Sequence, residues 1–170
     1  MTSQAMVQGL IDENEIKKLI TRLSYAFDER DAVKCRSVFA DQVECDIDRL
    51  GGAPPAGLFP ADELARQTIA RLSQFRMTQH LNTMHHVELD GDDATLTAYV
   101  LGSHYLEPGD AIGATAAQEP WNTIGARYDM HARRLPEGWR FTRWKWRMMW
   151  SRDNHDVWRE IGRRMKNIGG

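Results

Sequence analysis

The sequence has two cysteines, Cys35 and Cys45, in 170 residues. Their spacing fits neither a zinc ligand set nor a redox pair, so they read as reduced, packed thiols and exclude a disulfide scaffold. No sign of charge dominates, since 22 Lys and Arg against 24 Asp and Glu leave a formal net charge of −2. A broad electrostatic surface for nucleic acid is therefore not expected. The locally basic end WREIGRRMKNIGG reads as a helix terminus that favours cations near its C-terminus. No apolar run approaches the roughly 20 residues that span a bilayer, and the opening MTSQAMVQGLIDENE lacks the basic start and apolar core of a signal peptide. These absences point to a cytoplasmic protein with no membrane partner. No glycine-rich phosphate loop follows an expected strand, so no nucleotide cofactor is expected.

What is present is an ordinary globular balance, 42% apolar and 27% charged, in a chain long enough for one self-supporting domain. The expectation is a single domain over 1–170, with 1–10 flexible and 152–170 a C-terminal extension. Ile16, Leu19, Ile20, Leu23 and Phe27 recur at helical spacing and predict a helix over 11–29, with Asp12 or Asn14 placed to cap it. A short helix is expected over 31–40 and a strand in VECDIDRL. GGAPPAGLFP reads as a loop, and Pro60 opens a third helix in ADELARQTIARLSQF. MTQHLNTMHHVEL and ATLTAYVLGSHYL flank the turn letters DGDD and form one hairpin. NTIGARYDMHARRL and WRFTRWKWRMMW flank PEG and form a second, and a short helix follows over 154–165. Helices first and long hairpins after them argue an α+β fold, with a curved antiparallel sheet, helices on one face and one central pocket.

Two segments carry a resemblance. YAFDERDAVKCRSVFADQVECDI places an Asp at a helix end before a second helix and the letters FAD. HLNTMHHVELDGDDATLTAYV places a His, an apolar strand and a GD turn, with His80 and Gly91 holding the interval. The arrangement resembles the nuclear-transport-factor-two-like superfamily and its SnoaL-like branch, which is similar to scytalone dehydratase, the bile-acid dehydratases and hexachlorocyclohexane dehydrochlorinase. The resemblance implies a cystatin-like cone and a proton-abstracting dyad of Asp28 and His80. That chemistry stands on its own: an imidazole takes a proton from carbon when a carboxylate fixes its tautomer and stabilises the imidazolium.

The resemblance also marks departures. Lyase members carry Tyr or Lys where this chain has Leu23, and Tyr25 is the nearby alternative. They carry Asn where this chain has Met84, with His85 beside it as a pocket candidate. His85 and His86 point to opposite faces of a regular strand, so no metal site is expected. On the last strand, Thr142, Trp144, Trp146, Met148 and Trp150 are expected to share one face, read as a subunit interface. Arg143, Lys145 and Arg147 would then face the pocket mouth, and Arg143 or Arg147 would assist the leaving group. Asp46, Tyr105, Trp121 and Asn122 complete the expected pocket, and 109–120 is expected to be a lid. The implied activity is a cofactor-independent lyase, dehydratase-like, on a small hydrophobic cyclic or aromatic molecule. The alternatives are an isomerase or cyclase in the same pocket, or a non-catalytic subunit such as that of a ring-hydroxylating dioxygenase. A homo-oligomer is implied, a trimer ahead of a dimer.

Overall fold

The computed structural model describes residues 3–48, 50, 53–107 and 120–168, so the expected lid lies outside the described residues except for Pro120. Helix α1 (Ser3–Glu29) follows the expected period, and Ile16, Leu19, Ile20, Leu23, Ala26 and Phe27 are buried along it. It starts at Ser3 rather than at residue 11, so most of the stretch expected to be flexible is helical. It ends in a paired cap: Asp31 N–H donates to the Ala26 carbonyl at 2.9 Å and Arg30 N–H to that of Phe27 at 3.4 Å. Arg30 takes the left-handed position at φ 62° where glycine is usual, and its guanidinium donates to Thr78 Oγ1 at 2.7 Å.

Helix α2 (Ala32–Arg36) is capped by the Asp31 side chain, which accepts from Lys34 N–H at 2.8 Å. It stops short of the expected residue 40 because strand β1 (Phe39–Ile47) begins there. The expected loop GGAPPAGLFP ends in a short edge strand, β2 (Gly57–Pro60), where a residue without an N–H is tolerated. Helix α3 (Ala61–Leu72) follows directly. The two hairpins are β3 (Met77–Asp90) with β4 (Asp93–Tyr105), and β5 (Trp121–Leu135) with β6 (Gly138–Asp153). They turn at Gly91, φ 61°, and Gly138, φ 104°, where a side chain would strain the backbone. Helix α4 (Asp156–Ile168) closes the described chain. Among the described residues no helix is long and apolar enough to cross a membrane.

The strands form one curved sheet in the order β2-β1-β6-β5-β4-β3, with β1 and β6 parallel and the other pairs antiparallel. Ala94, Leu96, Ala98 and Val100 of β4 and Ile124, Ala126, Tyr128 and Met130 of β5 are buried on the concave face, against the helices. Strand β6 departs from simple alternation. Its pairing with β5 slips between the partners of His131 and Ala132 and again between those of Gly125 and Ala126, which makes Thr142 and Met149 extra residues. Trp139 and Phe141 therefore face inward before the first slip, Trp144 and Trp146 after it, and Trp150 turns outward after the second. The five residues from Thr142 to Trp150 do not share one face.

Asp12 does not cap α1. It is buried, and its carboxylate accepts two hydrogen bonds from Arg134, at 2.8 and 2.5 Å, and one each from Trp139 Nε1 and Gln8 Nε2, both at 3.1 Å. This clamps the helix to the β5–β6 hairpin. The Arg134 hydrogen bonds hold the Asp12 carboxyl below its usual range, against the opposing effect of burial. A carboxyl depressed in the folded state adds stability above its unfolded pKa, and that contribution is lost as pH falls through the folded value. Asp12→Ala is expected to lower unfolding free energy at pH 7 by about 2 kcal/mol. The difference from the parent should narrow below about pH 4, as urea titrations across that range will measure.

Candidate active site

The cap that ends α1 leaves Asp28 in the last turn of the helix, facing the start of β3. Its carboxylate is held at three points by that strand. Oδ2 accepts from His80 N–H at 2.9 Å, Oδ1 accepts from Thr78 Oγ1 at 3.0 Å, and Oδ1 lies 2.7 Å from His80 Nδ1. Burial pushes the Asp28 carboxyl up, but the hydrogen bonds and charge of His80 outweigh it and hold the group below its usual range. The carboxylate is therefore ionised near neutrality, and Nδ1 carries the proton that it donates to Oδ1. That fixes the tautomer and leaves Nε2 as the free base. The His80 side chain is only 8% exposed and lines the cavity.

The cavity occupies about 90 Å³ under the helices. Its walls are mostly aromatic and aliphatic: Phe27, Leu72, Val100, Ile124, Trp144, Trp146 and Trp158. Polar groups enter at a few points, namely Asp48, Thr68, Arg71, His104 and Tyr128. His104 packs edge-on to His80 with ring centroids 5.3 Å apart. Burial and the charge of His80 hold it well below the ordinary imidazole range, so it is neutral. Burial, with the charge of Asp28, pushes the Tyr128 phenol up, so it keeps its proton. Gly102 sits opposite His80 in the β3–β4 register. A Cβ there would stand 3.0 Å from His104 Cε1 and 3.6 Å from His80 Nε2, so the missing side chain leaves open the approach to the base.

Residues 8–145 match the family model described as SnoaL-like domain. The chain belongs to the SnoaL-like family. Solved structures agree on the fold. The Kfla4162 protein of Kribbella flavida is 26% identical with a TM-score of 0.78, over 88% of this chain and 98% of its own. The hexachlorocyclohexane dehydrochlorinase LinA-type3 from Novosphingobium barchaimii is 19% identical with a TM-score of 0.70, over 86% and 92%. A protein provisionally named scytalone dehydratase, from Novosphingobium aromaticivorans, is 17% identical with a TM-score of 0.68, over 87% and 91%. No curated protein matches the sequence.

Asp28 and His80, expected to meet in a SnoaL-like pocket, do meet. The other expected pocket residues lie elsewhere. Leu23 is in the core, and Tyr25 is exposed on the far side of α1. Met84 is exposed at φ 55°, in a slip of the β3–β4 pairing between Thr83 and His86. His85 is half-buried; burial and nearby Lys17 lower its pKa, and it does not line the cavity. His86 is on the surface, 3.5 Å from Glu88. Tyr105 and Trp121 pack on each other, centroids 4.6 Å apart, and Trp121 is exposed. Asn122 is fully buried but acts one step back: its Oδ1 accepts from Nε1 of the cavity residue Trp158 at 2.7 Å.

The last-strand arginines are corrections too. Once Trp144 and Trp146 face inward, Arg143 and Arg147 must face outward. Arg143 lies 3.5 Å from Glu44, and Arg147 pairs with the Asp46 carboxylate and donates to the Asp46 carbonyl at 2.8 Å. Asp46 is thereby taken out of the pocket as well. Sequence reasoning missed Arg71, Thr68, His104, Tyr128 and Trp158. For Arg71 a signal existed: a charge at position 71, in step with Leu64, Thr68 and Phe75 on an otherwise apolar helical stripe.

Gly102→Ala is expected to leave the fold intact while crowding His104, which its Cβ meets at 3.0 Å, and through the edge-on packing of the two rings shifting His80 against Asp28. Proton NMR of the Nδ1–H resonance, which the Asp28 contact should hold far downfield, checks this; an unchanged resonance counts against the close fit.

Proposed function

We propose that this SnoaL-like protein is a cofactor-independent lyase acting on a small apolar cyclic or aromatic molecule. One observation carries the reading: a buried imidazole, oriented by an ionised carboxylate at 2.7 Å that leaves Nε2 free, lines a largely apolar cavity. His80 Nε2 takes a proton from substrate carbon, and the released electron pair forms a carbon–carbon double bond as the bond to the leaving group breaks. Asp28 stabilises the imidazolium through Nδ1–H. The Tyr128 hydroxyl, kept protonated, is a donor for a departing oxygen or halide. The apolar walls exclude water that would otherwise compete for the base.

The names of two similar structures, a dehydrochlorinase and a dehydratase, lie in the same reaction class and guide the choice of assay. An isomerase would use the same base, and is recognised by a product of unchanged mass. A purely assembling subunit has no use for the buried Asp–His pair. The convex sheet face carries exposed Met77, Leu81, Tyr99, Leu101, Trp121 and Trp150, and we read it as the face through which copies of the chain associate as a trimer.

Purified protein incubated with hexachlorocyclohexane and with cyclic β-hydroxy ketones is expected to release chloride or water. His80→Ala should lower the rate by about 10³-fold. Asp28→Asn should lower it by at least about 10-fold, because the imidazole loses the group that fixes its tautomer and stabilises the imidazolium. Turnover that survives His80→Ala would sink the mechanism. For the assembly, sedimentation velocity should give a trimer that Leu101→Lys converts to monomer.

A further inference from the structure

Arg71 is 7% exposed and lines the cavity, yet none of the described residues accepts a hydrogen bond from it or forms an ion pair with it. Buried arginines are ordinarily paired, because an isolated charge in an apolar site is costly. Two neighbours that might compensate do not. Burial pushes the Cys45 thiol up to about 11, so it is neutral beside the guanidinium. Asp48 is engaged elsewhere: its Oδ2 accepts from Met148 N–H at 2.7 Å, and its Oδ1 lies 3.8 Å from Arg147 Nε. Burial lowers the Arg71 pKa to about 10, which still leaves it charged near neutrality.

The same walls hold further unsatisfied donors. Thr68 Oγ1, one helical turn before Arg71, and Trp144 Nε1 are buried without a hydrogen-bond partner among the described residues, and both residues line the cavity. Beside them stand two imidazole nitrogens without a partner among the described residues, His80 Nε2 and His104 Nδ1. A ligand complementary to this lining presents acceptor oxygens and negative charge at one end and an apolar ring with an acidic C–H at the other.

We propose that Arg71 is the anion-recognising residue of the cavity and that the substrate is a small aromatic or alicyclic carboxylate, held by Arg71 with Thr68 beside it. The inference rests on the cavity being the substrate site proposed above, and not on elimination being its chemistry. It also accounts for the tolerance of an unpaired buried charge, since the substrate supplies the partner.

The test is calorimetric titration with benzoate and with benzamide, its neutral counterpart of nearly the same shape. The parent protein is expected to bind benzoate at least about 10-fold more tightly. Arg71→Met should bring the two affinities within about 2-fold, while Arg71→Lys keeps the preference for benzoate. Ligand-free Arg71→Met should unfold at a higher temperature than the parent, because it removes an uncompensated buried charge; a merely structural arginine would give the reverse. Equal binding of benzamide and benzoate by the parent, a benzoate preference that survives Arg71→Met, or no heat from benzoate up to about 10 mM would each overturn the proposal. His80→Ala should retain the benzoate preference, so failure of the lyase chemistry and failure of anion recognition give different results.

Discussion

The fold hangs on the seam between the last turn of α1 and the first residues of β3. Both oxygens of Asp28 are committed there, to the backbone and ring of His80 and to the hydroxyl of Thr78, and Arg30 ties Thr78 back to the helix end. A carboxylate with both oxygens engaged has little freedom to rotate, so the helix end, the strand and the imidazole are positioned by one set of hydrogen bonds. The unusual left-handed Arg30 belongs to the same construction: the turn that ends the helix also delivers the side chain that braces its partner strand.

The electrostatics of the interior divide into satisfied and unsatisfied charges. Asp12 and Arg134 neutralise one another at the far end of α1 and hold the helix on the hairpin, and Glu160, drawn down to about 2 by Arg163 and Arg164, does the same within α4. Among the described residues Arg71 has no such partner. Paired groups occur where the molecule needs rigidity, and the unpaired cation occurs where the cavity is open to a ligand. In a marginally stable domain, an unpaired buried charge is a sizeable part of the net folding free energy.

The sequence made the architecture legible because its signals were local. The spacing from Ile16 to Phe27, the turns at Gly91 and Gly138 and the paired hairpins each followed from residues a few positions apart, and the contact of Asp28 with His80 followed from two segments compared with a known family. The pocket lining was less legible, for a physical reason. Alternation from Arg143 to Met148 holds in the structure but does not say which face turns inward, so Trp144 and Trp146 read as an interface and Arg143 and Arg147 as the pocket mouth; the bulges move only Thr142 and Trp150 off the aromatic face. The inward positions run Trp139, Phe141, then Trp144, Trp146, Met148, and the doubled gap after Phe141 is the mark of a bulge. Asp46, Met84, Tyr105 and Trp121 had positional support alone, and position along a strand does not reveal which face a twisted sheet turns inward. Arg71 was missed although its charge interrupts a largely apolar stripe, and its lack of a partner among the described residues emerges only when distant elements are brought together.

The two bulges in β6 also bear on how such a chamber changes over evolutionary time. An extra residue in one strand of a pair bends it and increases its twist, and β6 lies between β1 and β5 near the middle of the sheet. Loss of Thr142 or Met149 would straighten the strand locally while leaving every inward side chain facing the same way. The width of the chamber and the identity of its walls are thus separately heritable: one changes by insertion or deletion of a single codon in β6, the other by substitution. A lineage can resize its binding chamber without altering any residue that touches the ligand, and comparisons of pocket residues alone would miss that change.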